Sequence, residues 1–172
     1  GATESELFDQ IVILDGKGQV IQVYDSTGTI ASPADFDLQG LRPFLSRLAE
    51  TEPAGYLTVS GIGKINGVYG AVAATRITPD YFESLGDAPL PVMVGIKLFT
   101  KDALQAIATL TQGTGYAITP TGNPPAEPSV ELAGPDGTPV AQLVWVHGQT
   151  GTALRAEIMP GVLLVCLGIF AI

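Results

Sequence analysis

Few side chains in this sequence could take part in catalysis, and they are widely spaced. His147 is the only histidine and Cys166 the only cysteine, which leaves no metal cluster, no disulfide within the chain and no Ser/His pair with spare partners. The Gly61-Ile62-Gly63 segment is not followed by a predicted helix, and residues 15–18 lack the spacing of a phosphate-binding loop. The aspartates near the amino terminus lie in turn-rich segments, with no two at a defined separation. We therefore expect no enzyme activity, no metal and no cofactor in this chain.

Ligand binding is the chemistry that the sequence favours more. Arg76 interrupts an apolar, β-branched segment, and a charge in a half-buried strand usually faces an anionic partner. That partner is either an acidic residue of the following loop, such as Asp80 or Glu83, or the carboxylate or phosphate of a ligand. The nearby tyrosines line an amphipathic pocket in one interpretation and belong to the core in the other. The candidate ligand-binding residues are Tyr56, Thr58, Ser60, Tyr69, Arg76 and Tyr81.

These residues lie in or beside a predicted hairpin, Tyr56 to Thr78, which is the centre of the expected sheet. Its turn is Asn66-Gly67, the pair that best accepts the positive φ angles of a type I′ hairpin. Residues 70–74 after the turn are mostly glycine and alanine. A face floored by small residues, with tyrosines and one arginine projecting from it, could hold a small ligand, and a tightly covered core hairpin has the same pattern.

The remaining segments predict an antiparallel sheet with separate helices. Residues 11–25 read as a hairpin, the apolar spacing from Leu41 or Arg42 to Thr51 indicates a helix, and residues 91–99 read as a strand. Thr100 is a suitable N-cap for a second helix. Its expected inward-facing residues are Leu104, Ile107, Ala108 and Leu110. Short strands are expected at 116–119, 130–132 and 140–147, which makes the fold class α+β.

Length and composition restrict the classes of function. The 172 residues suffice for one domain, which we place at residues 1–153. Lys and Arg total 8 against 17 for Asp and Glu, so the formal charge is −9, and no nucleic-acid partner is expected. Only 15% of residues are charged and 46% are apolar, which suggests that part of the chain contacts lipid or another protein.

The carboxy-terminal segment is a candidate membrane element. Residues 158–172 carry no charge, although a spanning helix needs about 20 apolar residues. We expect residues 154–172 to be the start of a transmembrane helix, because Pro160, Gly161 and Gly168 are poorly suited to a soluble helix. A buried terminal helix or strand of a soluble domain is the alternative.

Three segments together resemble the CHASE4 domain, an extracytoplasmic sensory module related to Cache and PAS-like folds. They are QIVILDGKGQVIQVYD, the stretch from Gly61 to Thr78, and PVMVGIKLFTKDALQAIA. The resemblance implies a PAS/Cache-like central antiparallel sheet of about five or more strands, flanked by helices. It also implies a periplasmic or extracellular location at the bacterial inner membrane. The cytoplasmic output would be a cyclic-di-GMP cyclase or phosphodiesterase, a histidine kinase or a related domain. Such domains usually begin with a long helix, of which only the last turn could be present around residues 2–9.

The sequence thus predicts a membrane-anchored sensor domain that binds a small ligand, with anions among the candidates, and relays a conformational signal through its carboxy-terminal helix. We expect it to be a homodimer. Two other hypotheses stay open at this point. One is a dimerisation or interaction domain that binds nothing small, and the other is a secreted soluble domain with a buried carboxy-terminal segment.

Overall fold

The computed structural model of the chain describes residues 7–51, 57–78, 89–111, 113–122 and 128–146. Its eight strands are β1 (Gln10–Leu14), β2 (Val20–Asp25), β3 (Thr58–Ile65), β4 (Val68–Arg76), β5 (Val92–Leu98), β6 (Thr114–Pro120), β7 (Ser129–Ala133) and β8 (Pro139–Val146). Its α-helices are α1 (Arg42–Ala49) and α2 (Lys101–Thr111), and two short 3-10 helices, Pro33–Asp35 and Leu38–Leu41, precede α1. The expected α+β class is confirmed.

The first five strands form one antiparallel sheet in the order β2-β1-β5-β4-β3. The predicted first hairpin is present, and its turn is held by the Asp15 carboxylate, which accepts hydrogen bonds from the amides of Lys17 and Gln19 at 2.9 and 2.8 Å. An aspartate that bonds the backbone ahead of it is a common stabiliser of such turns. The turn of the first hairpin is therefore held by hydrogen bonds between residues that are close together in the sequence.

The second predicted hairpin is also present as β3 and β4, and its turn is the expected one, but its predicted place at the centre of the sheet is wrong, because β5 is the central strand and β3 forms an edge. Asn66 and Gly67 have φ angles of 48° and 86°, as a type I′ turn requires of both central residues. The two-residue turn fixes the register between β3 and β4, from Ile65 opposite Val68 to Thr58 opposite Thr75. Side chains alternate between the two faces of each strand, so this register decides which residues of the hairpin share a face.

One face of the five-stranded sheet holds the hydrophobic core. The 3-10 helices and α1 cover it, and each 3-10 helix starts at a capping side chain: Ser32 accepts from the amide of Ala34, and Asp37 from that of Gln39. Phe44 of α1 is only 1% exposed, and burial of such a side chain stabilises the fold by about 2–3 kcal/mol. The core residues are Val12, Leu14, Phe36, Leu41, Phe44, Leu48, Val59, Ile65, Val72, Ala74, Val94, Ile96 and Leu98.

Strand β5 and helix α2 follow the predicted pattern with one exception. Thr100 caps α2, because its hydroxyl accepts from the amide of Ala103 at 3.2 Å. Lys97, the one charge in β5, forms a salt bridge of 2.9 Å with Asp9. Ala108 is buried as expected, but Leu110 is 85% exposed, so its predicted inward position is wrong. Helix α2 contacts β6, and this contact does not cover Leu110.

The last three strands form a separate antiparallel sheet in the order β6-β8-β7. The sequence predicted these strands but did not assign them to a sheet of their own. The second sheet approaches the first at β3, where Gly61 lies so close to Gly134 and Pro135 that a Cβ on Gly61 would come within 2.8 Å of their backbone atoms. The glycine at position 61 is therefore needed for the two sheets to touch.

None of the helices within the described residues is both long enough and apolar enough to span a bilayer. The predicted transmembrane segment, 154–172, lies outside the described residues, as do His147 and Cys166. The membrane anchor stays a prediction from the sequence.

Candidate functional site

A cleft lies where the hairpin of β3 and β4 meets both α1 and the second sheet. We call it the hairpin cleft, and its volume is about 320 Å³. The 3-10 helix before α1 and the first turn of α1 form one wall, on the core face of β3, and the turn between β7 and β8 forms the other wall. Lys64 and Tyr69 reach the cleft from the opposite face of the hairpin, at the β3 edge. The lining residues are Gln39, Gly40, Pro43, Phe44, Ile62, Gly63, Lys64, Tyr69, Pro135, Asp136, Thr138 and Val140.

Two glycines allow the first wall to approach β3 closely. A Cβ on Gly63 would lie 2.9 Å from the ring of Phe44, which is tighter than normal packing permits. A Cβ on Gly40 would collide with the carbonyl oxygen of Lys64. The small residues of the hairpin, noted in the sequence as a floor, thus act on the core side of the sheet, where they seat the helix.

The second wall is a rigid turn that presents a carboxylate. One oxygen of Asp136 accepts hydrogen bonds from the hydroxyl and the amide of Thr138, at 2.6 and 3.0 Å. These bonds lower the pKa of the Asp136 carboxyl below its usual value, chiefly through the Thr138 hydroxyl. Asp136 is exposed and stays ionised at neutral pH, so the wall carries a fixed negative charge.

The opposite face of the hairpin contributes a positive charge to the cleft. Lys64 and Tyr69 are directly opposite in the hairpin register, and the Lys64 ammonium lies 5.6 Å from the centroid of the Tyr69 ring. A cation over an aromatic face is held electrostatically by the ring. Within the described residues, no carboxylate lies within salt-bridge distance of Lys64. Lys64 is therefore placed to contact an anionic group of a ligand in the cleft.

Of the predicted ligand-binding residues, the structure places Tyr69 in the cleft, and Thr58 and Ser60 outside it. All three lie on the same face of the hairpin, because Lys64, the neighbour of Tyr69, is an even number of residues from both. However, Ser60 and Thr58 are four and six residues from Lys64, which corresponds to about 13 and 20 Å along an extended strand. Both side chains are exposed. One small ligand cannot touch Tyr69 and Thr58 at once.

Arg76 lies on the other face of the sheet, so the expectation of one face carrying both the tyrosines and the arginine is wrong. Thr75 is the residue opposite Thr58, and Arg76 follows it with the reverse orientation. Its guanidinium donates to the carbonyl oxygens of Leu48 and Thr51 and to the Thr51 hydroxyl, at the end of α1. A cation at the carboxy-terminal end of a helix satisfies carbonyls that have no partner within the helix and interacts favourably with the helix dipole. Among its described contacts, Arg76 ties α1 to the sheet.

The other predicted residues cannot be placed in this site. Tyr56 and Tyr81 lie outside the described residues, and so do Asp80 and Glu83, the acidic partners considered for Arg76. Whether Arg76 also pairs with one of these acidic residues stays a prediction.

Sequence reasoning missed Lys64 and Asp136, although it contained a signal for one of them. Once Asn66-Gly67 is taken as a two-residue turn, counting outward places Lys64 opposite Tyr69. No comparable signal existed for Asp136, because its position beside the hairpin depends on how the second sheet packs on the first.

No protein-family model matches this sequence, and comparison with curated proteins gave no significant match. The likeness to CHASE4 therefore rests on the three sequence segments that carry it.

Proposed function

We propose that this chain is the extracytoplasmic sensory domain of a membrane-bound bacterial signalling protein, and that a small ligand binds in the hairpin cleft. The observation that carries the proposal is the composition of the cleft: a lysine free of carboxylate partners among the described residues, an aromatic ring and a fixed aspartate surround about 320 Å³ of space. Pockets for small molecules combine apolar walls with a few oriented polar groups in this way.

The architecture supports the same proposal. A five-stranded antiparallel sheet with helices on its core face agrees with the PAS/Cache-like fold that the sequence resemblance implies. The chain contains no motif that favours an enzyme over a binding module, and its output domain would be a cyclic-di-GMP enzyme or a histidine kinase beyond residue 172.

The position of the cleft gives the proposal a route for the signal. The hairpin belongs to the first sheet, whereas Asp136, Thr138 and Val140 lie on the turn and strand of the second. A ligand that contacts both would favour one arrangement of the two sheets, and a two-state relay needs such a difference in affinity. Strand β8 is followed by residues 147–172, which would carry the change to the membrane.

The experiment is a thermal-shift screen with small carboxylates, phosphate and their uncharged analogues. A ligand at about 100 times its Kd adds about 2.7 kcal/mol to the free energy of unfolding, which for a chain of this size raises the Tm by about 5–11 °C. We expect an anionic compound to stabilise the wild type, and a Lys64→Gln variant to lose that stabilisation.

A Thr58→Val variant is the matched control, because Thr58 lies on the same hairpin face but outside the cleft. It should respond to the ligand as the wild type does. The ligand proposal fails if no compound raises the Tm, or if Lys64→Gln responds as strongly as the wild type. The sensor proposal is tested separately by the flanking gene sequence, where a second apolar segment before residue 1 and a signalling domain after residue 172 are expected.

A further inference from the structure

The edge strand β2 has the features of a surface that pairs with another strand. Among the described strands it is bonded to β1 alone, and it ends the five-stranded sheet. Ile21 is 57% exposed and Tyr24 is 48% exposed. The strand contains no lysine, arginine or proline, the residues with which proteins usually protect an open edge. At the opposite edge, β3 is already approached by the second sheet at Gly61.

The ladder between β1 and β2 shows which backbone groups face outward. The amide of Ser26 donates to the carbonyl of Asp9 at 2.9 Å. In antiparallel pairs, residues that bond the neighbouring strand alternate with residues that do not. Residues 22 and 24 therefore bond to β1, and the amides and carbonyls of Val23 and Asp25 point away from the sheet. Among the described residues these outward-facing groups have no backbone partner, so the edge can offer a partner strand both donors and acceptors.

The β2 edge carries little exposed charge, although the chain as a whole is strongly acidic. Its one charged residue, Asp25, turns its carboxylate into the loop that follows, where it accepts from the Thr27 hydroxyl at 2.6 Å, the Ile30 amide at 2.8 Å and the Thr29 hydroxyl at 3.1 Å. A second copy carries the same net charge of −9 and is repelled by most of the surface. The β2 edge is a place where two copies can meet without opposing bare carboxylates.

We propose that β2 pairs antiparallel with β2 of a second copy, so that two five-stranded sheets join into one continuous sheet. A strand paired antiparallel with its own copy is two-fold symmetric, so the same surface serves on both chains. The pairing centres on Val23 facing Val23 of the copy, because both present their backbone groups outward. Gln22 then faces Tyr24 of the copy, twice across the dimer axis. This proposal is independent of the ligand and holds whether or not the cleft is occupied.

The test uses like charges placed on the predicted pairs. The double variant Gln22→Lys/Tyr24→Lys puts lysine opposite lysine at two places in the dimer, and both positions are exposed in the monomer. Like charges directly opposite each other destabilise strand pairing, and we expect the dimer dissociation constant to rise about tenfold in sedimentation equilibrium. The two lysines also reduce the net charge from −9 to −7, which by itself would favour association.

The control variant is Thr58→Lys/Ser60→Lys, which adds the same charge at two exposed positions of the other edge strand, β3. Its dimer affinity should match that of the wild type. Mixing the lysine double variant with Gln22→Glu/Tyr24→Glu should restore association as a heterodimer, because every lysine then faces a glutamate. Far-UV circular dichroism establishes that each variant is folded. If a lysine variant is not folded, Gln22→Cys and Tyr24→Cys chains are mixed in a Cys166→Ser background, where a crosslink between the two chains is expected.

The proposal is overturned if the wild-type chain is a monomer at about 100 μM, well above the Kd of a stable homodimer. It is equally overturned if the β3 control weakens the dimer as much as the β2 variant, if the lysine and glutamate variants fail to associate, or if the cysteine pair gives no crosslink. Pairing of β2 with a strand of a different protein would give a monomeric chain in isolation and therefore counts against it.

Discussion

Replacement of Arg76 by methionine separates its structural role from the ligand-binding role predicted for it from the sequence. Methionine keeps most of the apolar stem but removes the guanidinium, which donates to the Leu48 and Thr51 carbonyls and to the Thr51 hydroxyl. The Thr51 carbonyl lies just beyond the end of α1, and the Leu48 carbonyl keeps hydrogen bonds from the Thr51 amide and hydroxyl when the guanidinium is removed. The variant should therefore be less stable in the absence of any ligand.

The expected loss follows from the number and kind of the bonds. A hydrogen bond to a charged group contributes about 1.5–3 kcal/mol, and partial exposure of Arg76 reduces each of the three to about 1 kcal/mol. The free energy of unfolding should fall by about 3 kcal/mol, and the Tm by about 6–12 °C for a chain of this size. Arg76 also takes part in an interaction beyond these three bonds, which the figure does not include.

Urea denaturation followed by circular dichroism, together with a thermal melt, measures both quantities. Arg47→Met is the matched control: Arg47 also lies at the end of α1, but its salt bridge with Glu50 is exposed and should contribute less than about 0.5 kcal/mol. If Arg76→Met unfolds within 0.5 kcal/mol of the wild type, Arg76 does not fasten α1 to the sheet. If it is also the variant that loses ligand stabilisation, Arg76 and not Lys64 is the anion contact.

Three further predictions concern the turns and the contact between the sheets. Burial opposes ionisation of Asp25, but hydrogen bonds from Thr27, Ile30 and Thr29 outweigh it and lower its pKa to about 2 from 3.8. Because the pKa of Asp25 is lower in the folded chain, its ionised form stabilises the fold above about pH 4, and this stabilisation is lost between about pH 4 and 2. After solvent screening the stabilisation amounts to about 1 kcal/mol. When urea melts are repeated across this pH range, Asp25→Asn should lack the loss of stability that the wild type shows. Gly61→Ala should cost about 1–3 kcal/mol in the same melts, because its Cβ would meet the backbone of the second sheet, and unchanged stability would show that the sheets do not touch there. Gly67→Ala has open space around it but keeps a φ of 86°, so it should cost only about 1–2 kcal/mol, and a larger loss would point to a contact rather than to backbone strain.

The sequence predicted the local units of the fold well, because each depends on neighbouring residues. Asn66-Gly67 specifies its turn through two positive φ angles, Thr100 specifies the start of α2 through its hydroxyl, and Asp15 holds the first hairpin. The sequence did less well for Leu110, since its place on an apolar stripe does not reveal which part of that stripe the packing of α2 covers.

The candidate site also has some features that depend on neighbouring residues and others that depend on long-range packing. The sequence by itself determined the hairpin and its Asn66-Gly67 turn, which implies that Tyr69 faces Lys64, although that pairing was not predicted. Only the tertiary structure decided that Arg76 belongs to the core face and fastens α1, and that Asp136 closes the cleft beside Lys64. The physical reason is the separation along the sequence of the residues that interact. Turns and caps are fixed by bonds between residues a few positions apart. The packing of α1 and of the second sheet on β3 depends instead on contacts between distant parts of the chain, such as Gly61 with Gly134.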